Sequence, residues 1–330
     1  MKVAVFSTKS YEKALLAKVS ETSELKFTYF THSLNAITAT LGDKFEAICV
    51  FVNDDVNSQV VNMLAKQNIR HIALRCAGYN NVDIETASRN GIRVSRVPSY
   101  APEAVAEHAV ALIMTLNRKI HKAYNRIREG NFELNGLMGF NLKNKRVGVI
   151  GTGHIGKALV TIMRGFGCEV ICCDPVPSPE IMDMGVTYVD LDRLLTQSDI
   201  VSLHCPLNEK TYHLINQTSI SRMRDGVMLI NTSRGGLVDS QAVIKGLKSG
   251  KIGYLGLDVY EMESDLFFEN RSTEIIGDDV FERLATFHNV IITGHQGFFT
   301  LEAMNEIAST VVANLVTCNT PQANPENFLV

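Results

Sequence analysis

Short apolar runs alternate with amphipathic stretches along almost the whole chain. The first series of runs is VAVF, FTYF, AICVF, IRHIAL and IRVSRV, with stretches of helical periodicity between them. A second series begins with RVGVIG and continues through EVICCD, DIVSLHCP, VMLINTS, IGYLGLDV and NVIITGHQ. This alternation is typical of parallel strands whose sheet is covered by helices on both faces.

Two such series in 330 residues predict two domains rather than one very wide sheet. Between them lies PSYAPEAVAEHAVALIMTLNRKIHKAYNRIREGNF, which we interpret as one long helix. Pro102 suits its first turn, and acidic residues near the start and basic residues near the end complement the helix dipole. We therefore expect an α/β fold with two doubly wound parallel-sheet domains, Rossmann-like or flavodoxin-like, and crossover helices between them. The long helix leads into the second domain, and a last helix around TLEAMNEIASTVVANLV returns the chain.

Composition narrows the classes of partner. The chain has 32 basic and 35 acidic residues, so no basic field is available for nucleic acid or anionic lipid. No apolar run approaches the ~20 residues that span a bilayer, and MKVAVFS is interpreted as a strand rather than a targeting segment. The seven cysteines show no paired C-x-x-C spacing, so we expect neither a metal centre nor a disulfide framework, and we expect a reducing, cytoplasmic compartment.

The stretch VGVIGTGHIGKALV carries a phosphate-binding pattern. It comes close to the P-loop G-x-x-x-x-G-K-[ST], but Ala158 stands where that motif needs a hydroxyl for Mg²⁺. It matches the dinucleotide pattern G-x-G-x-x-G fully, with Gly151 for the tight turn, Gly153 for approach of the phosphates and Gly156 for close helix packing. The next strand ends in Asp174, whose carboxylate suits a ribose diol and repels a 2′-phosphate. The sequence therefore predicts an NAD site.

A dehydrogenase also needs a cation for its substrate, a proton donor and a group that orients the donor. Arg234 follows an apolar strand in NTSRGG, where its planar fork could bind a carboxylate through two hydrogen bonds. His295, in TGHQGFF, ends another strand and is a candidate proton donor, with His204 in SLHCP as its rival. The acids Asp258, Glu261 and Glu263 follow a third strand, and spacing does not choose between Glu261 and Glu263 as the partner of the imidazole.

Eight blocks occur in one order along nearly the whole chain: FVNDD, RCAGYNNVD, VPSYAPEAVAEHAVALIMTLNR, GTGHIGKA, SLHCPLNEKTYHLIN, NTSRGGLVDSQA, LDVYEMESDLFFE and TGHQGFFT. In these blocks the chain resembles the D-isomer-specific 2-hydroxyacid dehydrogenases. The chain resembles the fermentative D-lactate dehydrogenase branch of that family in three places: CAGYNNVD, DLFFE and the aromatic pair after the histidine.

The resemblance implies reversible reduction of pyruvate by NADH to D-lactate, with a longer 2-keto acid or hydroxypyruvate as the alternative substrate. It implies that Arg234 binds substrate, that His295 is the general acid/base and that Glu263 is its partner. The alternative class of protein is an NAD-sensing module without catalysis. The presence of Arg234, His295 and Glu263 argues against it.

The resemblance also assigns binding residues and domains. The cofactor contacts would be Gly151, Gly153, His154, Ile155, Gly156, Asp174, Cys205, Pro206, Thr211, Thr232, Ser233, Arg234 and Asp258. The substrate contacts would be Ala77, Gly78, Tyr100, Arg234, His295 and Phe298. Residues 1–101 with 298–330 would form the substrate domain and 102–297 the NAD domain, and the protein would be a homodimer or homotetramer.

Overall fold

The computed structural model describes residues 1–263 and 266–330. The chain divides into two compact units, Met1–Ala101 with Phe299–Val330, and Pro102–Phe298. Phe298 therefore falls in the second unit. Both units are α/β, as the alternation of apolar runs predicts, and each is built on a sheet in which all strand pairs are parallel.

The first unit contains a five-stranded sheet in the order β2-β1-β3-β4-β5, the flavodoxin-like order. The strands are β1 (Lys2–Val5), β2 (Lys26–Tyr29), β3 (Ala47–Val50), β4 (His71–Leu74) and β5 (Arg93–Ser95). All residues of the central strands β3 and β4 are buried, because helices cover both faces of a parallel sheet.

Four helices belong to this unit: α1 (Ser10–Ser20), α2 (Ser58–Lys66), α3 (Ile84–Arg89) and α12 (Leu301–Thr317). The last of these is capped by Thr300, whose side chain accepts a hydrogen bond from Ala303 N, and the helix packs against α1 and β4. The C-terminal residues add to the sheet edge, since Leu329 N donates to Val94 O at 2.8 Å.

The second unit contains a seven-stranded sheet in the order β12-β11-β10-β9-β6-β7-β8. Its strands are β6 (Arg146–Ile150), β7 (Glu169–Cys173), β8 (Thr187–Tyr188), β9 (Ile200–Leu203), β10 (Val227–Asn231), β11 (Ile252–Leu257) and β12 (Val290–Ile292). The apolar pattern predicts all of these strands except β8, which has two residues and lies at the edge. The strand order reverses beside β6, and in doubly wound sheets ligands bind at the carboxyl ends of the strands at such a point.

The helices of this unit are α4 (Pro102–Arg118), α5 (Ile120–Arg128), α6 (His154–Gly165), α7 (Pro179–Asp183), α8 (Leu191–Gln197), α9 (Gln217–Arg222), α10 (Ser240–Lys248) and α11 (Asp279–Ala285). Among the helices of the described ranges, none is both long and apolar enough to span a bilayer.

The prediction of one long helix between the two series is wrong. The helix breaks between α4 and α5 at Lys119, whose φ of 49° lies in the left-handed region. The segment around Phe140 returns to this break, where the Asn117 side chain exchanges two hydrogen bonds of 2.8 Å with the Phe140 backbone. A glycine is needed beside it, because a Cβ on Gly139 would lie 2.5 Å from Asn117 O. These tertiary contacts outweigh the helical propensity of the sequence.

Candidate active site

The glycine turn after β6 is packed as a dinucleotide cradle. Gly151 has a φ of +91°, and a Cβ there would lie 2.5 Å from Cys205 N, so only glycine fits. A Cβ on Gly156 would lie 2.1 Å from Gly151 O, which shows how closely α6 approaches the turn. A Cβ on Gly153 would meet nothing within 4 Å. The space above Gly153 is therefore open at the position where the motif requires phosphates to approach.

The start of α6 has the properties of an anion site. Gly153 is its N-cap, no side chain caps it and its first turn carries no acidic residue. The first N–H groups of a helix have no partner within the helix and carry partial positive charge. This end of α6, with His154 and Ile155 in its first turn, fits a pyrophosphate.

Asp174 follows β7 beside this turn. Its Oδ2 accepts from Thr152 N at 2.7 Å and its Oδ1 accepts from Val176 N at 2.8 Å. A carboxylate has about four acceptor sites, so each oxygen keeps one for a ribose hydroxyl. The two backbone bonds orient the carboxylate without consuming its capacity to bind a ligand.

Thr232, directly after β10, carries a polar atom that lacks a partner. The residue is 7% exposed, and its hydroxyl is buried without a hydrogen bond within the described part of the chain. Buried hydroxyls are normally satisfied, so an orphan at the carboxyl edge of the sheet fits a ligand group at this position. The next residue, Ser233, instead donates to Cys205 O at 2.7 Å.

Arg234 is placed by the turn that follows β10. Asn231 Nδ2 donates to Arg234 O at 2.9 Å, and Arg234 Nη1 donates to Ser233 O at 2.7 Å. The backbone of Gly235 packs directly against that of Tyr260, since a Cβ on Gly235 would lie 2.1 Å from the carbonyl carbon of Tyr260. This contact holds the arginine turn against the segment that follows β11.

His295 and Glu263 form a hydrogen-bonded pair. His295 Nδ1 lies 2.9 Å from Glu263 Oε1, and Glu263 Oε2 accepts from Tyr260 N at 3.0 Å. His295 has a φ of 51°, an uncommon conformation for a residue with a side chain, and its N–H donates to Asp258 O at 2.7 Å. Of the two glutamates that the sequence leaves as alternatives, Glu263 is the one bonded to His295.

Asp258 accepts several hydrogen bonds from the turn that carries His295. Its carboxylate is 1% exposed and accepts from Thr293 Oγ1 at 2.5 Å, Gln296 N at 2.9 Å and Gly297 N at 2.8 Å. His108 Nε2 on α4 lies 3.1 Å from the same carboxylate. Burial opposes ionisation, but the hydrogen bonds from His108, Thr293 and Gln296 outweigh it and hold the pKa of Asp258 below its usual range.

Three of these donors lie on Oδ1 and one on Oδ2, so the carboxylate orients the turn before it contacts any ligand. The sequence alone does not reveal this cluster. His108 is distant in sequence from Asp258, and its only signal is a histidine inside the apolar helix AEHAVALIM.

The rival histidine is unsuited to donate a proton near neutral pH. Burial lowers the pKa of His204 to about 4, and its Nε2 lies 2.8 Å from Ser202 Oγ. The ring is therefore neutral at physiological pH.

The other predicted residues lie in three places. Cys205, Pro206 and Thr211 form the loop after β9, where Thr211 Oγ1 donates to Pro206 O at 2.6 Å. The ring of Phe298 lies 6.4 Å from that of His295, edge to face. Ala77, Gly78 and Tyr100 belong to the first unit.

Strand order explains the convergence of the catalytic candidates. The strands β10, β11 and β12 are neighbours, with Asn231 paired to Leu257 and Leu257 to Ile292. Parallel strands end at the same edge, so the segments carrying Arg234, Glu263 and His295 emerge side by side. A carboxylate-bonded imidazole beside an arginine turn is an arrangement suited to proton transfer on an anionic substrate.

The doubly wound sheet, the uncapped helix at the glycine turn and the acid after the next strand define the second unit as a dinucleotide-binding domain. Residues 110–297 match the family model "D-isomer specific 2-hydroxyacid dehydrogenase, NAD binding domain". The chain therefore belongs to the D-isomer specific 2-hydroxyacid dehydrogenase family. It is an NAD-binding oxidoreductase, as the sequence predicts.

Its relatives match over nearly the full length of the chain. D-lactate dehydrogenase of Escherichia coli (strain K12) is 50% identical over 329 residues, which is 100% of both chains. Its apo structure matches with a TM-score of 0.90 at 48% identity, again over 100% of both chains. The pyruvate reductase of Chlamydomonas reinhardtii matches with a TM-score of 0.91 at 44% identity over 98% of both chains. Aquifex aeolicus D-lactate dehydrogenase, complexed with NAD and lactic acid, matches with a TM-score of 0.88 at 33% identity over 99% of both.

Proposed function

We propose that the protein is a D-lactate dehydrogenase that reduces pyruvate to D-lactate with NADH and catalyses the reverse reaction. The observation that carries this proposal is the His295–Glu263 hydrogen bond at 2.9 Å, formed by the segments that follow β12 and β11, with Arg234 in the turn after the neighbouring strand β10. The names of the Escherichia coli and Aquifex aeolicus relatives support lactate as the product. When bound, the cofactor supplies the hydride.

His295 is the proposed proton donor in reduction. Its Nδ1 is engaged by Glu263, so Nε2 is the atom that gives the proton to the carbonyl oxygen and takes it back during oxidation. The carboxylate fixes the tautomer and the orientation of the imidazole ring. Glu263 is in turn held by the Tyr260 N–H, so the pair is oriented before substrate binds.

Arg234 is the proposed ligand of the substrate carboxylate. One of its guanidinium N–H groups is bonded to Ser233 O. Its other N–H groups have no protein acceptor within residues 1–263 and 266–330, so they are available for two parallel hydrogen bonds to a carboxylate. Fixing the carboxylate fixes the keto carbon next to it, which is how positioning contributes to catalysis.

For the cofactor we propose the contacts that the sequence predicts at the glycine turn, Asp174, Thr232 and the loops after β9 and β10. This assignment is supported by the open space at Gly153 and, within the described ranges, by the free acceptor sites of Asp174 and the unpaired Thr232 hydroxyl. For Asp258 we propose that its contribution is to orient the His295 turn.

For the first unit we propose that Ala77, Gly78 and Tyr100 contact the substrate. Arg96 Nη1 donates to Ala77 O at 3.0 Å. Because the C=O and N–H of a trans peptide point in opposite directions, this bond turns the Gly78 N–H away from Arg96 and leaves it available as a donor.

We also propose a homodimer or homotetramer. In the second unit, α5 and the segment after it expose large apolar side chains, with relative exposures of 60% for Tyr124, 74% for Phe132, 82% for Leu134 and 86% for Met138. Exposed apolar groups concentrated in one stretch are typical of an interface. Light scattering of the parent and of a Phe132→Ser, Leu134→Ser variant tests this, and a parent that is monomeric at micromolar concentration would contradict it.

A cytoplasmic location is proposed on the state of the cysteines. All seven are free, and most are buried in the two cores. Free cysteines are typical of a reducing compartment. A fluorescent fusion found outside the cytoplasm would contradict this assignment.

The function is tested by NADH oxidation with pyruvate, 2-ketoisocaproate and hydroxypyruvate, followed by chiral analysis of the product. We expect the highest kcat/KM with pyruvate, and D-lactate as the product. A preference for either other acid, or formation of L-lactate, would contradict the proposal.

A further inference from the structure

A second histidine–glutamate pair lies beside the first. His213 Nε2 is 2.5 Å from Glu261 Oε1, and Ser240 Oγ donates to Glu261 Oε2 at 3.0 Å. His213, like His295, has a left-handed backbone, with a φ of 50°. Glu261 and Glu263 are two residues apart, so a single turn after β11 provides the carboxylates of both pairs.

The Glu261 pair encloses the arginine turn. His213 N donates to Gly236 O at 2.8 Å, and Ile215 N donates to Leu237 O at 2.9 Å, so the segment of His213 runs along the residues that follow Arg234. From the other side, a Cβ on Gly235 would lie 2.4 Å from Glu261 N. Glu261 therefore joins two segments that between them hold the backbone immediately after Arg234.

The cluster is not arranged for nucleophilic catalysis. A serine nucleophile needs its hydroxyl bonded to an imidazole that can take the proton. Here Ser240 Oγ bonds to the carboxylate, and the imidazole lies on the opposite oxygen. Glu261 is 23% and His213 29% exposed, so both side chains are partly removed from water and their bond is shielded.

We propose that Glu261, through His213 and Ser240, is a positioning residue for Arg234 and thereby tunes affinity for the carboxylate of the 2-keto acid. The inference rests on the proposed role of Arg234. Glu263 serves the proton donor and Glu261 serves the substrate-binding cation, so the two neighbouring carboxylates divide the work between them.

The test compares Glu261→Ala with Glu261→Gln and with an exposed control, Glu282→Ala on α11. Loosening the arginine turn weakens substrate binding in the ground state and the transition state together, so KM rises while kcat changes little. We expect KM for pyruvate to rise at least ~10-fold in Glu261→Ala, within the ~10²-fold that a 1 Å misplacement can cost. Glu261→Gln, whose amide can still bond to His213 and Ser240, should stay within ~3-fold of the parent.

Three further readouts identify the mechanism. NADH affinity, measured by NADH fluorescence, should be unchanged in Glu261→Ala, and so should the pH profile of kcat/KM. His213→Asn, which tolerates the left-handed backbone but is too short to reach Glu261, should reproduce the KM effect. Should Glu261→Ala fail to fold, as judged by circular dichroism, His213→Asn takes its place. In an Arg234→Ala background, Glu261→Ala should raise KM no further.

The outcomes separate the two proposals. If Arg234→Ala leaves KM for pyruvate unchanged, the proposed function fails. If Arg234→Ala raises KM but Glu261→Ala and His213→Asn do not, the positioning role fails and the proposed function stands. A Glu261→Ala variant with a displaced pH profile would also overturn the inference, because Glu261 would then act on the proton donor.

Discussion

Alanine substitutions at two glycines of the motif, with a third in the same helix as control, separate packing from cofactor binding. In Gly156→Ala the new Cβ would start 2.1 Å from Gly151 O. An ordinary C···O contact is about 3.3 Å, so α6 and the glycine turn must separate by roughly 1.2 Å. Overpacking of this size costs about 1–3 kcal/mol, and it moves the helix terminus that would bind the pyrophosphate. We expect Gly156→Ala to lower the unfolding temperature and to weaken NADH binding at least ~10-fold.

Gly153→Ala should behave differently, because a Cβ there meets nothing within 4 Å. The cost to stability is that of alanine at an N-cap, about 1 kcal/mol or less. NADH binding should nevertheless fall at least ~10-fold, since the methyl occupies the space where the phosphates approach.

Gly165→Ala is the matched control at the far end of α6, where a Cβ also meets nothing. It should stabilise the protein by up to about 1 kcal/mol through helix propensity and leave NADH affinity within ~2-fold.

The chain has no tryptophan, so binding is measured from the emission of NADH itself, and unfolding from circular dichroism. Parent-like NADH affinity in Gly153→Ala, or a Gly156→Ala protein as stable and as tight-binding as Gly165→Ala, would refute the assignment of this turn.

Three further predictions concern carboxylates. Asp174→Ala should weaken NADH binding at least ~10-fold and reduce the preference for NADH over NADPH, and an unchanged ratio of the two dissociation constants would contradict its role. Glu263→Gln replaces the carboxylate that holds Nδ1 of His295, so kcat/KM for pyruvate should fall at least ~10-fold. An unchanged kcat/KM would show that Glu263 does not orient the proton donor. Asp258→Asn should destabilise the protein at pH 7 by at least about 2 kcal/mol, since a buried carboxylate with four donors is lost. The folded-state pKa of Asp258 is lowered, so this contribution is present above its unfolded value of ~4 and is lost as pH falls through the folded value. The difference between parent and variant unfolding should therefore shrink below about pH 4, and a constant difference would show that the charge is not its source.

The local pattern of apolar residues is sufficient to predict much of the fold. Eleven of the twelve strands within residues 1–263 and 266–330 coincide with apolar runs in the sequence, because strands in sheets covered by helices are rich in apolar residues. The missing strand, Thr187–Tyr188, is too short to carry a pattern. The break at Lys119 also escapes local reasoning, since it depends on the return of Phe140 to Asn117, 23 residues apart in the chain.

The sequence likewise identifies some residues of the candidate site but not the contacts between them. Glycine spacing and residue type after a strand identify Gly151, Asp174, Arg234 and His295 as candidates. Choosing Glu263 over Glu261 as the carboxylate bonded to His295 requires knowing which turn each side chain faces, and spacing carries no such information. The contact of His108 with Asp258 and that of His213 with Glu261 are equally invisible, because they join segments that only the fold brings together.

Proton transfer by His295 is tested most directly by His295→Asn. Asparagine tolerates the left-handed backbone at this position but can neither reach Glu263 nor carry the proton, and His288→Asn, on an exposed residue, is the control. We expect NADH affinity within ~2-fold of the parent and a loss of at least ~10²-fold in kcat/KM for pyruvate, with the control unchanged. Pyruvate reduction by His295→Asn at a rate close to that of the parent would show that His295 is not the proton donor.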